Sequence, residues 1–195
     1  MKRATVNGVA ISGEAVAFEL DRLVRFYTSH GMTAEEIKGA LPQLQEKALD
    51  QAIGARLLLD RAQQLDIPVT VADVDAEVTK VVAQVGGEEN YRKALAAQGL
   101  TDERFRKELE KGARVNRLVE QACVGVPDPT DAEVAEFYEA HKAQFASASQ
   151  SLGDVHDQIK DLLRHQVRGR AMDAFVAELR TQARVEIVEG AANVH

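Results

Sequence analysis

Strand-like patterning is confined to the two ends of this sequence, and the segments between carry the three- and four-residue apolar spacing of helices. Near the start, Arg3 to Ile11 reads as a short hairpin. Asn7-Gly8 tolerates the positive φ of a two-residue turn, and β-branched Val6, Val9 and Ile11 flank it. Near the end, Arg184-Val185-Glu186-Ile187-Val188-Glu189 alternates polar and apolar. A lone strand is not stable in water, so its natural partner is the hairpin. The predicted fold class is therefore mainly α, with a small antiparallel β clip joining the N- and C-termini.

Caps and breakers divide the interior. Ser12 offers an N-cap oxygen for a helix over 13–30, which Gly31 closes. Thr33 and Glu36 fit a capping box for a short helix that Leu41-Pro42 interrupts. Pro42 then sits in the first turn of a longer helix to about Leu65, with Leu44, Ala48, Ala52, Ala55, Leu59 and Ala62 on one apolar face that Leu57 and Leu58 widen, so that the helix is covered on more than one side. Asp66-Ile67-Pro68 breaks it. Val71, Val74, Val78, Val81, Val82 and Val85 prefer strands by type but are spaced for a helix, and the period decides.

Gly86-Gly87 and Gly99 bound a short helix over 88–98. Thr101 caps the next, which carries Phe105, Leu109, Val115, Leu118, Val119 and Ala122 and ends at the stiff run 125–129. Thr130 and Glu133 open a helix to about Gln144. Residues 145–151 are small and polar, as in a linker. From Leu152 an apolar stripe through Val155, Ile159, Leu163 and Leu179 predicts one helix to about Gln182, roughly 45 Å long at 1.5 Å per residue.

Chemistry is sparse. The net charge of −7 argues against a phosphate-backbone binder, and Arg104, Arg106, Lys107, Lys111, Arg114 and Arg117 alternate with acids as on a solvated helix face. Cys123 stands alone, so no internal disulfide forms. His30, His141, His156, His165 and His195 lack metal-site spacing, and Gly86-Gly87 lacks the Lys-Ser/Thr of a phosphate loop. No catalytic residue, metal or cofactor is predicted. Without an apolar leader or membrane-length run the chain reads as cytoplasmic, the alternative being a periplasmic protein with its signal removed.

Several stretches together resemble the chaperone module of SurA-, PrsA- and NifM-like folding factors of the parvulin family of peptidyl-prolyl isomerases. Val6-Asn7-Gly8-Val9-Ala10-Ile11-Ser12 is similar to that family's opening strand and cap. Ala48 to Leu59, with Ala62 and Leu65-Asp66-Ile67-Pro68-Val69-Thr70, resembles its most recognisable segment, continued by Asp73-Val74-Asp75-Ala76-Glu77. Gly99 to Arg106, Thr130 to Tyr138 with Phe145, Val155 to Ile159 and Leu179 to Ile187 are similar to its later helices and closing strand. Each motif is common; their order is specific.

The resemblance implies one helical chaperone domain in two parts, 1–145 and 152–195. The segment 146–151 lies where the family carries a parvulin domain of about a hundred residues, itself a plausible folding unit. No βαββ-like segment, His-Ile-Leu strand or Gly-Tyr-His strand of parvulin type is present, so the chain is not expected to be an enzyme. The Ala-Ser-Ala-Ser run resembles a replacement linker, as in an engineered deletion, a natural isomerase-free relative being the alternative.

The implied function is ATP-independent binding of unfolded or partly folded polypeptide, for which exposed apolar residues are needed. Phe18, Leu23, Phe26, Tyr27 and Met32 are candidates on and just after the first helix, with Tyr91 and Phe105 as a second patch. For any single one of them a core position is the more ordinary reading, since apolar stripes usually face a core. The alternatives are a dimerisation or scaffold module that positions an isomerase domain, or residual prolyl isomerase activity. A homodimer would form by exchange of the C-terminal helix and strand. Neither nucleic acid nor membrane insertion is expected.

Overall fold

In a computed structural model the chain is described over residues 2–147 and 150–188. These residues divide into two compact units: one reaches to Leu118 and resumes at Val176, and the other is Val119–Phe175.

The first unit opens with β1 (Arg3–Val6) and β2 (Val9–Ala10). Asn7 and Gly8 take φ of 51° and 80°, the left-handed pair that matches the twist of a tight hairpin. Near the C-terminus β3 (Val185–Val188) pairs antiparallel with β1, giving the order β2-β1-β3 and the register Ala4 with Ile187 and Val6 with Val185. The predicted clip is thus present, built by residues 181 apart in the chain at Thr5 and Glu186. Glu189, the last residue of the predicted strand, lies outside the described residues.

Helix α1 (Gly13–Ser29) starts where the Ser12 hydroxyl accepts the Ala15 N–H, and Gly31 follows its end with φ of 93°. Helix α2 (Ala34–Gln64) is continuous across Pro42, so the predicted break at Leu41-Pro42 is corrected. Proline removes one bond to the carbonyl four residues back, that of Lys38. Both Pro42 and Lys38 are exposed, so the freed carbonyl lies on the solvent side, while Ile37, Leu41 and Leu44 stay partly or fully buried. A single lost bond, on the wet side, does not outweigh the burial of the other face.

The α2 core face also differs from the predicted stripe. Leu44, Ala48, Ala52 and Ala62 are buried as expected and so is Leu57, which widens the face, but Ala55 is exposed, and Leu49 and Ile53 join Leu57 in a second buried row. Two rows are needed because α2 is covered from more than one direction. Alpha-1 supplies Val16 and Leu23, β1 supplies Ala4 and Val6, and the end of α8 (Leu152–Gln182) supplies Leu179. That approach is close at Gly54, where an added Cβ would lie 3.4 Å from Val176 Cγ1, and Arg180 bonds Asp50 nearby.

Helices α3 (Val71–Gln84), α4 (Glu88–Ala97) and α5 (Asp102–Ala122) complete this unit, α5 only to Leu118. Thr70 and Asp73 close a reciprocal capping box, which satisfies backbone donors that a valine-rich first turn cannot. Val74, Val78, Tyr91 and Leu95 form a core cluster, with Val81, Val82, Phe105 and Leu109 against it. Val71 belongs to the predicted stripe but is exposed, because it is the first helical residue and projects beyond the packed turns.

In the second unit α6 (Asp131–Ala140) stops at His141, and α7 (Lys142–Ser147) is separate, so the predicted single helix to Gln144 is corrected. His141 leaves helical geometry with φ of −113°; its N–H donates to the last α6 carbonyls, those of Phe137 and Tyr138, and its Nδ1 lies 2.8 Å from the Phe137 carbonyl. Val134, Val155 and Ile159 are buried together, with Phe137, Tyr138, Phe145 and Leu163 around them. Part of the predicted linker over 146–151 lies outside the described residues. Ser147 is the last residue of α7, and Ser151 caps α8 through Asp154.

Candidate functional site

Alpha-1 is amphipathic with an anomaly on its wet face. Val16, Glu19 and Leu23 face inward, at steps of three and four. Phe18 and Phe26 face outward, with 64% and 52% of their surfaces exposed. Eight residues apart, their Cα atoms are separated by roughly 12 Å along the helix axis. Nothing in helix propensity calls for a ring at either position, since a polar residue would propagate the helix as well.

The surroundings fix how the rings stand. Phe26 is edge-on to Tyr27 at 5.3 Å and lies against the His30 ring at 4.1 Å. His30 is held in turn by contacts of its Nδ1 with the Phe26 carbonyl at 2.7 Å and the Ser29 hydroxyl at 3.2 Å. Arg22 and Arg25, also exposed, pair along the helix with Glu19 at 3.0 Å and Asp21 at 2.6 Å. The wet face of α1 is therefore two open rings with paired charges between them.

The other candidates fare differently. Leu23 is buried between α1 and α2 and serves the core. Tyr27 is half-buried: its hydroxyl accepts from Lys47 Nζ at 3.1 Å, and the same ammonium sits 5.5 Å from the ring centre. Met32 is partly buried in the turn after α1, its N–H donating to the Tyr27 carbonyl. Tyr91 is buried and Phe105 partly so, their rings edge-on at 5.8 Å, which corrects the second exposed patch. The physical reason is that the α3 valines need a wide apolar cover, and these two rings supply it.

Burial also reshapes Tyr91 chemically. Its hydroxyl donates to Asp102 Oδ1 at 2.6 Å, and desolvation, reinforced by that carboxylate, pushes its pKa up to about 12. The same bond, followed by that from Arg106, holds the Asp102 carboxyl below the usual range. Arg106 also reaches Asp75, so one guanidinium ties α5 to α3. This is a structural network, with the groups neutralised against each other.

The basic run on α5 is matched in kind. Lys107 pairs with Glu103, Lys111 with Glu108, Arg114 with Glu110 and Arg117 with Asp73. Among the described residues no three His, Cys, Asp or Glu side chains gather as a metal site, and no helix is long and apolar enough to cross a membrane. Sequence spacing missed exposed Leu65, Val124, Ile187 and Val188. For Ile187 and Val188 a signal existed: a terminal strand in a three-strand sheet is at an edge.

Comparison with known proteins gives the family. The foldase protein PrsA of Clostridium acetobutylicum is 25% identical over 130 residues, 65% of this chain, and the chain spans 39% of that protein's length. A solved chain from the study of PEB4 and Cj1289, two SurA-like chaperones of Campylobacter jejuni, superposes over 96% of this chain and 99% of its own. Its TM-score is 0.54 at 13% identity, a likeness of fold. The family model described as the SurA-like N-terminal domain matches residues 2–119, which include β1, β2, α1 to α4 and most of α5. This chain belongs to the SurA-like N-terminal domain family.

Proposed function

We propose that this chain binds unfolded or partly folded polypeptide without nucleotide, using the outward face of α1. The observation that carries the reading is the pair of exposed rings, Phe18 and Phe26, on a helix otherwise patterned for one buried side. Rings about 12 Å apart along a helix match side chains four residues apart on one face of an extended chain, at roughly 3.4 Å per residue. Two such contacts hold many sequences weakly, which suits a binder of varied clients.

Family membership supports a chaperone or foldase role, and the likeness to a foldase, PrsA, and to SurA-like chaperones supports it further. The net charge of −7 keeps an open apolar face soluble and attracts basic client segments. Cj1289 is described as periplasmic, which supports the periplasmic reading over the cytoplasmic one. The test is aggregation of a chemically unfolded client followed by light scattering, without nucleotide. Suppression near one chain per client is expected. A folded chain that leaves the aggregation curve unchanged would refute the function and favour the scaffold reading.

A further inference from the structure

The clip has an open edge whose hydrogen-bonding geometry can be worked out. The Ile11 N–H donates to the Ala4 carbonyl, so Ala4 and Val6 direct their main-chain groups toward β2. The Asn7 N–H donates to the Arg184 carbonyl on the opposite side. Antiparallel pairs alternate, so Arg184, Glu186 and Val188 bond to β1. The N–H and C=O groups of Val185 and Ile187 must therefore point away from the sheet.

Among the described residues nothing covers the side chains on that edge. Ile187 and Val185 share the face of Ala4 and Val6, which are buried, yet Ile187 is 50% exposed because, among the described residues, no strand lies beyond it. On the other face Glu186 carries a half-exposed carboxylate, and Val188 is exposed. Edges are usually blunted by Lys, Pro or a bulge, and none of these falls within Val185–Val188.

We infer that β3 accepts an extended segment of a non-native polypeptide as a fourth strand, preferring an apolar–basic–apolar triplet. Directly opposed residues share a face. The triplet thus places apolar side chains beside Val185 and Ile187 and a Lys or Arg beside Glu186. Arg184 already contacts one carboxylate oxygen of Glu186 at 2.6 Å, while among the described residues the other meets the Thr5 hydroxyl at 3.5 Å. A second copy fits worse. Matching Val185 to Ile187 of another β3 sets Glu186 against Glu186, between chains of net charge −7.

This inference rests on the polypeptide-binding reading but uses a different surface from Phe18 and Phe26. The probe is a capped Thr-Val-Lys-Val-Thr peptide, with Thr-Val-Glu-Val-Thr as its charge-reversed control, added to the whole chain and followed by amide exchange in NMR. The Val185 and Ile187 N–H groups should become protected, whereas that of Glu186 is already protected by β1. The Lys peptide should bind roughly five- to twentyfold more tightly than the Glu peptide, and Glu186→Lys should reverse that order. Ile187→Pro removes an outward N–H without breaking the β1 ladder, and should abolish the protection with the fold intact.

Unchanged exchange at Val185 and Ile187 would overturn strand addition. If the same sample still suppresses client aggregation, the proposed function survives it. A dimer of the wild-type chain that Ile187→Pro dissolves would overturn the choice of occupant in favour of a second copy.

Discussion

Replacing Phe18 and Phe26 together by Ala removes the surface on which the proposed function depends, and the structure sets the size of the effect. A Phe ring system offers about 150–250 Å², so at 64% and 52% exposure each leaves roughly 100–130 Å² open to water. Covering all of that is worth about 3 kcal/mol per ring at ~25 cal/mol per Å². A mobile client that covers about half of it gains roughly 1.5 kcal/mol per ring, or about tenfold in affinity. The double variant should therefore bind a labelled, permanently unfolded client about a hundredfold more weakly by fluorescence anisotropy. Its own stability should fall by no more than about 2 kcal/mol, since only the smaller, covered parts of the rings are lost. Leu23→Ala is the counterpart: it opens a cavity beneath α1, costs about 2–5 kcal/mol in urea unfolding, and leaves the affinity of the folded chain unchanged. A folded double variant that binds within twofold of wild type would refute the assignment of the α1 face.

Tyr91→Phe removes a buried hydroxyl from Asp102 and should destabilise the chain by about 1–2 kcal/mol in urea, limited because water can re-solvate the carboxylate. Because the folded phenol titrates only near 12, above its ordinary value of about 10, its contribution holds below pH 10 and is lost as pH rises toward 12. Unfolding midpoints measured across that window should fall less steeply in Tyr91→Phe. The capping carboxylates Glu36, Asp73 and Glu133 have lowered pKa values, chiefly through the backbone N–H groups of Thr33, Thr70 and Thr130. Their stabilisation is present above the ordinary carboxylate range of about 4 and is lost as pH falls through the folded values, which urea midpoints between pH 6 and 2.5 will show. Pro42→Ala restores the bond to Lys38 at an exposed site and should raise the melting temperature, stabilising by about 1–3 kcal/mol; a decrease would refute the lost bond as the chief effect of Pro42. Ile159→Ala should cost about 2–5 kcal/mol, since Ile159 is buried with Val134 and Val155.

Local chemistry in the sequence determined the caps, the breakers and the identity of most elements. Ser12, Thr33, Thr70 and Thr130 act within three residues of themselves, so their hydrogen bonds are legible without knowing what packs above. The clip was legible for the same kind of reason: a single alternating segment at one end and a hairpin at the other leave each other as partners. What only the tertiary structure decided is which apolar residues are covered. Phe18 and Leu23 sit on the same helix and read alike, yet one faces water and the other faces α2. Tyr91 is buried because the α3 valines require a lid, and Pro42 survives inside α2 because its lost bond falls on the wet side. Exposure depends on neighbours distant in the chain, and a period of three or four specifies a stripe without saying how wide its cover will be.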